Sequence, residues 1–354
     1  MSSGGAGAAP LPSPSGAGAG APAAGNGGAG TPAAAGTGGA GARAAGAGGA
    51  QQPSAAGAGA AAVPPSAAGA SGSAMPTAGM PAAGTPSTPS DPSKPVLPPV
   101  DDPGAKGPFE IQQLDTLEGL STHILIAPKD LGRDGMKHPI LVWINGAGAG
   151  STSYRAMLDN VAAHGFFILD DKQSSFESMP EVDAQRAAID WVIAQADKQG
   201  GPYYGKLDTT RIAIAGHSLG SVSTFGNVGD KRIKTSIHMA GGLVGNPEGV
   251  DESWIKNLHA PAAFLVGTRD TNGLPRVKND FGAAPPNVPV YFGQLAGATH
   301  TDEFSQPNGG RWGRIVISWL RWQLAGEKRY QRSFTGADCE FCKGDWTAMK
   351  RGID

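Results

Sequence analysis

The chain has 354 residues, of which 55 are glycine and 29 proline, and a formal net charge of −2. That charge gives no electrostatic footprint for nucleic acid or an anionic membrane. No run of strong hydrophobes is long enough to span a bilayer.

Residues 1–106 are almost entirely Gly, Ala, Pro, Ser and Thr. Arg43, Asp91 and Lys94 are the only charges before Asp101, and no aromatic precedes Phe109. Such a segment has little apolar surface with which to offset the entropy of ordering its backbone, so a disordered linker is expected. A silk-like β structure is the rival reading, but repeated proline and the lack of a fixed period oppose it. No basic n-region or apolar h-region is visible at the N-terminus. The composition is still that of a spacer behind a bacterial export or lipoprotein signal, so an extracellular or cell-envelope location is expected. Residues 107–354 are long enough for one α/β domain with a real core.

Two strands are predicted at 109–114 and 122–128. The continuous apolar run 139–145 reads as a strand buried on both faces. In 153–164, Met157, Leu158, Val161 and Ala162 share a helical face that Gly165 closes. A buried strand at 166–169 and a helix at 182–199 follow, the helix carrying Ala188, Ile189, Val192, Ile193 and Ala196 on one face. Further strands are predicted at 211–215, 234–239, 262–266 and 288–295, and a terminal amphipathic helix at 314–325. Strands alternating with helices imply a mostly parallel, doubly wound sheet with helices on both faces. Ligands bind such sheets at the carboxyl ends of the strands.

The strongest chemical signal lies at one of those ends. Gly216-His217-Ser218-Leu219-Gly220 fits Gly-x-Ser-x-Gly, with a strand before it and a helical stretch after it. That is the setting of a nucleophile elbow, whose glycines allow a turn too tight for side chains. A serine hydroxyl needs a base, and the base needs an orienting acid. Asp270 and His300 each follow a later strand, in the chain order Ser, Asp, His. Ser218, His300 and Asp270 are therefore the candidate nucleophile, base and acid. Asp280 and Asp251 are rivals for the acid, and Asp302 lies too close to His300 in sequence to sit under its ring. The ring of His217 is expected to point away from the base, and His238 to be a hydrogen-bonded core residue. His123, His138, His164 and His259 either precede the serine or sit beside turns. An oxyanion hole needs backbone N–H donors. Leu219 is the first candidate, and the glycine-rich loop 145–150 supplies the second, Ala147 ahead of Gly148. That loop fits neither phosphate-binding glycine spacing. Trp254, Tyr154, Trp312 and Phe304 are candidates either for a pocket or for ordinary packing.

Cys339 and Cys342 are too few to complete a four-ligand zinc site and do not follow the first strand of a βαβ unit. A short local disulfide is the first reading, and two reduced thiols pinning the tail are the second.

The loop 143–146, the run 204–208, the elbow, residues 267–270, the phrase 307–310, the helix 319–324 and the tail 339–342 together resemble serine α/β-hydrolases of the dienelactone hydrolase, chlorophyllase and cutinase-like polyester hydrolase neighbourhood. The resemblance implies an α/β-hydrolase fold, a Ser218–His300–Asp270 triad, no cofactor or metal, and hydrolysis of a small-molecule or polymeric carboxylic ester. The chain departs at Ala147, where polyester hydrolases of this kind usually place an aromatic residue; this counts against an aromatic polyester. It also departs from dienelactone hydrolases, which often use cysteine where Ser218 stands. An amidase or peptidase with the same triad, and a non-catalytic binding domain of the same fold, are the alternatives. The sequence carries no signal for an oligomeric state.

Overall fold

The computed structural model describes residues 94–172, 181–247 and 249–353. Residues 1–93 of the linker expected over 1–106 lie outside the described residues. The described strands are β1 (Ile111–Leu114), β2 (His123–Pro128), β3 (His138–Ile144), β4 (Phe167–Asp171), β5 (Leu207–His217), β6 (Ile233–Met239), β7 (Ala262–Gly267), β8 (Val290–Leu295) and β9 (Trp346–Arg351). The helices are α1 (Arg155–Ala163), α2 (Val182–Asp197), α3 (Leu219–Phe225), α4 (Gly273–Ala283) and α5 (Gly310–Gln323). They build an α/β-hydrolase fold on one sheet of order β1-β2-β4-β3-β5-β6-β7-β8-β9. The strands from β3 to β8 run parallel to one another, whereas β1, β2 and β9 pair antiparallel at the two edges.

The central strands form because they are buried on both faces. Every residue of β3 is buried, and alternate side chains feed opposite layers. Leu141 and Trp143 join α1 and α5 on one face through Met157, Leu158, Ile315 and Trp319. Ile140 and Val142 join α2, α3 and α4 on the other through Ile189, Val192, Val222 and Val277. Each large apolar side chain buried this way contributes about 1.5–3 kcal/mol before entropy is set against it. No helix among the described residues is long and apolar enough to cross a membrane.

The expected start of the folded part at 107 needs correcting. Residues 94–106 already lie on the domain: Leu97 is buried, and the Val96 amide donates to the Ala325 carbonyl at 3.1 Å. Arg211 donates to the Lys94 carbonyl at 2.9 Å, Arg321 donates to Pro98, and His164 Nε2 sits 3.1 Å from the Ala105 carbonyl. This strap is held mostly by its carbonyl oxygens, so its side-chain composition does not advertise it. Two elements were not predicted. α4 contains Gly273, Pro275 and Gly282, which weaken a helical pattern, and β9 is a mixed polar strand on a sheet edge. The tail before β9 carries a disulfide between Cys339 and Cys342, with Cα atoms 5.1 Å apart.

Candidate active site

Ser218 stands between β5 and α3 with φ 53° and ψ −121°, a conformation an L-residue adopts only when its surroundings impose it. Its amide donates to the Met239 carbonyl on β6 at 2.8 Å, which fixes the turn to the sheet. The flanking glycines are sterically required. A Cβ on Gly216 would stand 2.4 Å from the Gly220 carbonyl carbon, and one on Gly220 would stand 2.2 Å from the Ile144 oxygen. Sequence reasoning missed a third such position. Gly241, just after β6, passes so close that a Cβ there would meet the Ser218 oxygen at 1.9 Å.

The structure brings Ser218, His300 and Asp270 together from three separate strand ends. Ser218 Oγ is 2.9 Å from His300 Nε2, and His300 Nδ1 is 2.7 Å from Asp270 Oδ2. The imidazole is 40 % exposed, while the carboxylate beside it is 2 % exposed, so solvent reaches the ring but not the carboxylate. Burial alone would raise the Asp270 carboxyl; hydrogen bonds from His300 and the Gly273 amide outweigh it and hold the group below the usual carboxylate range. It therefore stays ionised under the imidazole.

The other acids and histidines are engaged elsewhere. Asp280 accepts from the Leu243 and Val244 amides, Asp251 caps Ser253, and Asp302 accepts from the Thr299 amide at 2.8 Å. His238 stacks on Phe225 with ring centroids 3.8 Å apart. Its nitrogens lie 3.3 Å from the Ser221 carbonyl and 3.0 Å from Ser236 Oγ.

His217 departs from expectation. Its ring does not point away from His300 but lies beside it, centroid to centroid 4.8 Å. Both of its nitrogens are committed, Nε2 to the His300 carbonyl at 2.8 Å and Nδ1 to Tyr154 Oη at 2.7 Å. Burial, then the charge of His300, push His217 down to about 3, so it is neutral. A neutral ring that donates from Nε2 must accept at Nδ1, so Tyr154 donates to it. The same Tyr154 oxygen accepts the Gly146 amide at 3.1 Å. The loop after β3 is thereby tied to the backbone that carries His300. Tyr154, Phe304 and Trp312 are core residues of this cluster and not a substrate wall. Trp254 packs partly buried against the other core layer.

Asn145 anchors the loop from its other side. Its amide donates to Asp171 Oδ1 at 2.7 Å, its Nδ2 donates to the Asp171 carbonyl at 2.6 Å, and its Oδ1 accepts from Trp143 Nε1 at 2.9 Å. Beyond it, Ala147 and Leu219 line one cleft of about 90 Å³ together with Ser218 and His300. Among the described residues, neither the Ala147 nor the Leu219 amide donates to a protein acceptor. The rest of the cleft includes Asn246, Asn272 and Arg276, which sequence reasoning did not single out. Roomier hollows of about 470 and 590 Å³ lie beside β1 and Lys129 and hold no nucleophile, so size does not mark the chemistry here.

A protein-family model described as PETase, PET hydrolase-like, matches residues 103–350. No curated protein matches the chain.

Proposed function

The chain belongs to the PET hydrolase-like family, and from that membership and the geometry around Ser218 we propose a serine carboxylic ester hydrolase that works through an acyl-enzyme. The observation that carries the reading is the continuous hydrogen-bonded line from Ser218 Oγ through His300 to the buried Asp270. In this reading His300 Nε2 takes the hydroxyl proton as Ser218 Oγ attacks the ester carbonyl. The developing oxyanion is received by the unengaged amides of Ala147 and Leu219. His300 then gives its proton to the leaving alcohol. A water molecule, deprotonated by the same nitrogen, releases the acid and restores the serine. Asp270 holds the imidazole with Nδ1–H inward and stabilises the imidazolium. Each step uses the chain's own groups and draws on no metal.

Ala147 offers no ring to stack on an aromatic acyl group, and the cleft is only about 90 Å³, which argues for an aliphatic one. The disulfide at Cys339–Cys342 supports an oxidising compartment outside the cytoplasm. Residues 1–93 serve in this reading as a tether for the catalytic domain.

The test is hydrolysis of p-nitrophenyl acetate, butyrate and octanoate by the full chain, beside the matched p-nitroanilides and Ser218→Ala. The expected result is turnover of the esters and a loss of about 10³-fold or more in kcat for the variant. A folded but inert wild type, or a variant as active as wild type, would overturn the reading. Faster cleavage of the anilides would move it to an amidase.

A further inference from the structure

The residues that line the cleft around Ser218 include a cation and no anion. Of the residues that line it, Arg276 and His300 are the ionisable ones, and no carboxylate is among them. Arg276 makes no ion pair or hydrogen bond among the described residues, whereas Arg155, Arg211, Arg232, Arg311, Arg314, Arg321 and Arg329 all have acidic partners.

Its place in α4 is also unfavourable for the helix. Arg276 lies in the first turn, which contains no acidic residue, and a cation there opposes the helix dipole. The root of the side chain is nonetheless held firmly. A Cβ on Gly242 would stand 2.4 Å from the Arg276 Cβ, so the stem is seated on the backbone that follows β6. A cation that breaks a local rule, has no partner among the described residues and lines the same cleft as the nucleophile marks a site where stability has been given up for something else. Asn246 and Asn272 add amide groups to the same wall.

We propose that Arg276, with Asn246 and Asn272 beside it, forms a subsite for a carboxylate, and that the favoured substrates are esters bearing a free carboxylate at the far end of the acyl group. The inference rests on the ester-hydrolase reading and deepens it. Its chemistry places the enzyme in a reaction sequence. Each hydrolytic cut in a polyester leaves one fragment ending in an alcohol and one ending in a carboxylate. The carboxylate-ended fragments are what this subsite would hold, so a chain-cutting ester hydrolysis is the class of reaction that supplies them. A guanidinium suits the task because it presents two parallel donors to the two carboxylate oxygens.

The experiment compares mono-p-nitrophenyl glutarate with p-nitrophenyl pentanoate, which have the same acyl length and differ in the terminal carboxylate. Both are assayed with wild type, Arg276→Gln, Arg276→Lys and Ser218→Ala, at low and high salt. The expected result is that Arg276→Gln lowers kcat/KM for the glutarate about tenfold more than for the pentanoate, mainly through KM, on the scale of one charge-assisted contact. Arg276→Lys should recover part of the difference, and salt should shrink it in wild type. If Arg276→Gln affects both esters equally, or neither, the subsite is overturned while the serine mechanism stands. If Ser218→Ala hydrolyses both esters as well as wild type does, or wild type hydrolyses neither, the underlying reading fails and the subsite falls with it.

Discussion

Tyr154→Phe isolates one oxygen in the structure. That oxygen accepts the Gly146 amide at 3.1 Å and donates to His217 Nδ1 at 2.7 Å, and both partners are buried. The phenyl ring keeps the place of the phenol among Trp143, His217 and Phe304, whose ring centroids lie 5.1, 5.4 and 5.0 Å away. Volume is conserved and no cavity opens, so the cost is that of two orphaned polar groups. Each unsatisfied buried group costs about 1–3 kcal/mol, which gives a total of about 2–6 kcal/mol. For a domain of this size that corresponds to a fall in Tm of about 4–24 °C. The loss should reach catalysis as well, because the Gly146 amide sits next to the Ala147 amide and His217 holds the carbonyl of His300. We expect kcat on p-nitrophenyl butyrate to fall about tenfold while KM changes little, because in the proposed mechanism the Ala147 amide and His300 are then less well positioned. Urea unfolding and steady-state kinetics on the same preparations measure both effects. A stability change within about 0.5 kcal/mol, together with kcat within about twofold of wild type, would refute the claim that this oxygen ties the loop after β3 to the backbone of His300.

Three further outcomes are expected. Asp270→Asn should preserve the fold yet lower kcat by about 10³–10⁴-fold, since the imidazole loses the partner that sets its tautomer; near-normal steady-state turnover would remove Asp270 from its role. His238 is held by burial at about 3. On acidification the unfolded ring takes up a proton below about pH 6.5, while the native ring does not until about pH 3. The native state therefore loses stability relative to His238→Asn as pH falls from 7 to 4, approaching about 1.4 kcal/mol per pH unit once below 6. Parallel stability-against-pH curves from urea titrations would contradict this. Replacing Cys339 and Cys342 by serine opens a very short loop, so chain entropy gives a loss of about 2 kcal/mol, to be read from the urea midpoint. Loss of folding altogether would assign the tail a larger part.

The strands at the centre of the sheet are legible because burial on both faces leaves an unmistakable apolar run, as in β3 and β7. Ser218, Asp270 and His300 could be nominated because a parallel sheet gathers the residues that follow its strands at one edge. What the sequence does not reveal is pairwise and distant. The contact between His217 and Tyr154 spans 63 residues, and no local pattern encodes it. The place of Arg276 depends on α4, whose proline and glycines disguise the helix. The strap over residues 94–106 is held by its carbonyls, which every residue has alike. β9 reads as polar coil because only one side of an edge strand needs to be apolar.

Those edges have a consequence for the protein's behaviour in a crowd. The described sheet ends in two short antiparallel strands, β1 with Gln112 and Gln113 and β9 with Lys350 and Arg351. An open strand edge invites another chain to pair with it, and brevity, glutamine amides and cationic side chains discourage that. A hydrolase that accumulates on a solid ester surface would meet its own copies at high local density. There the two blunted rims would keep neighbouring molecules from zipping into a shared sheet, leaving each one a separate, diffusing catalyst.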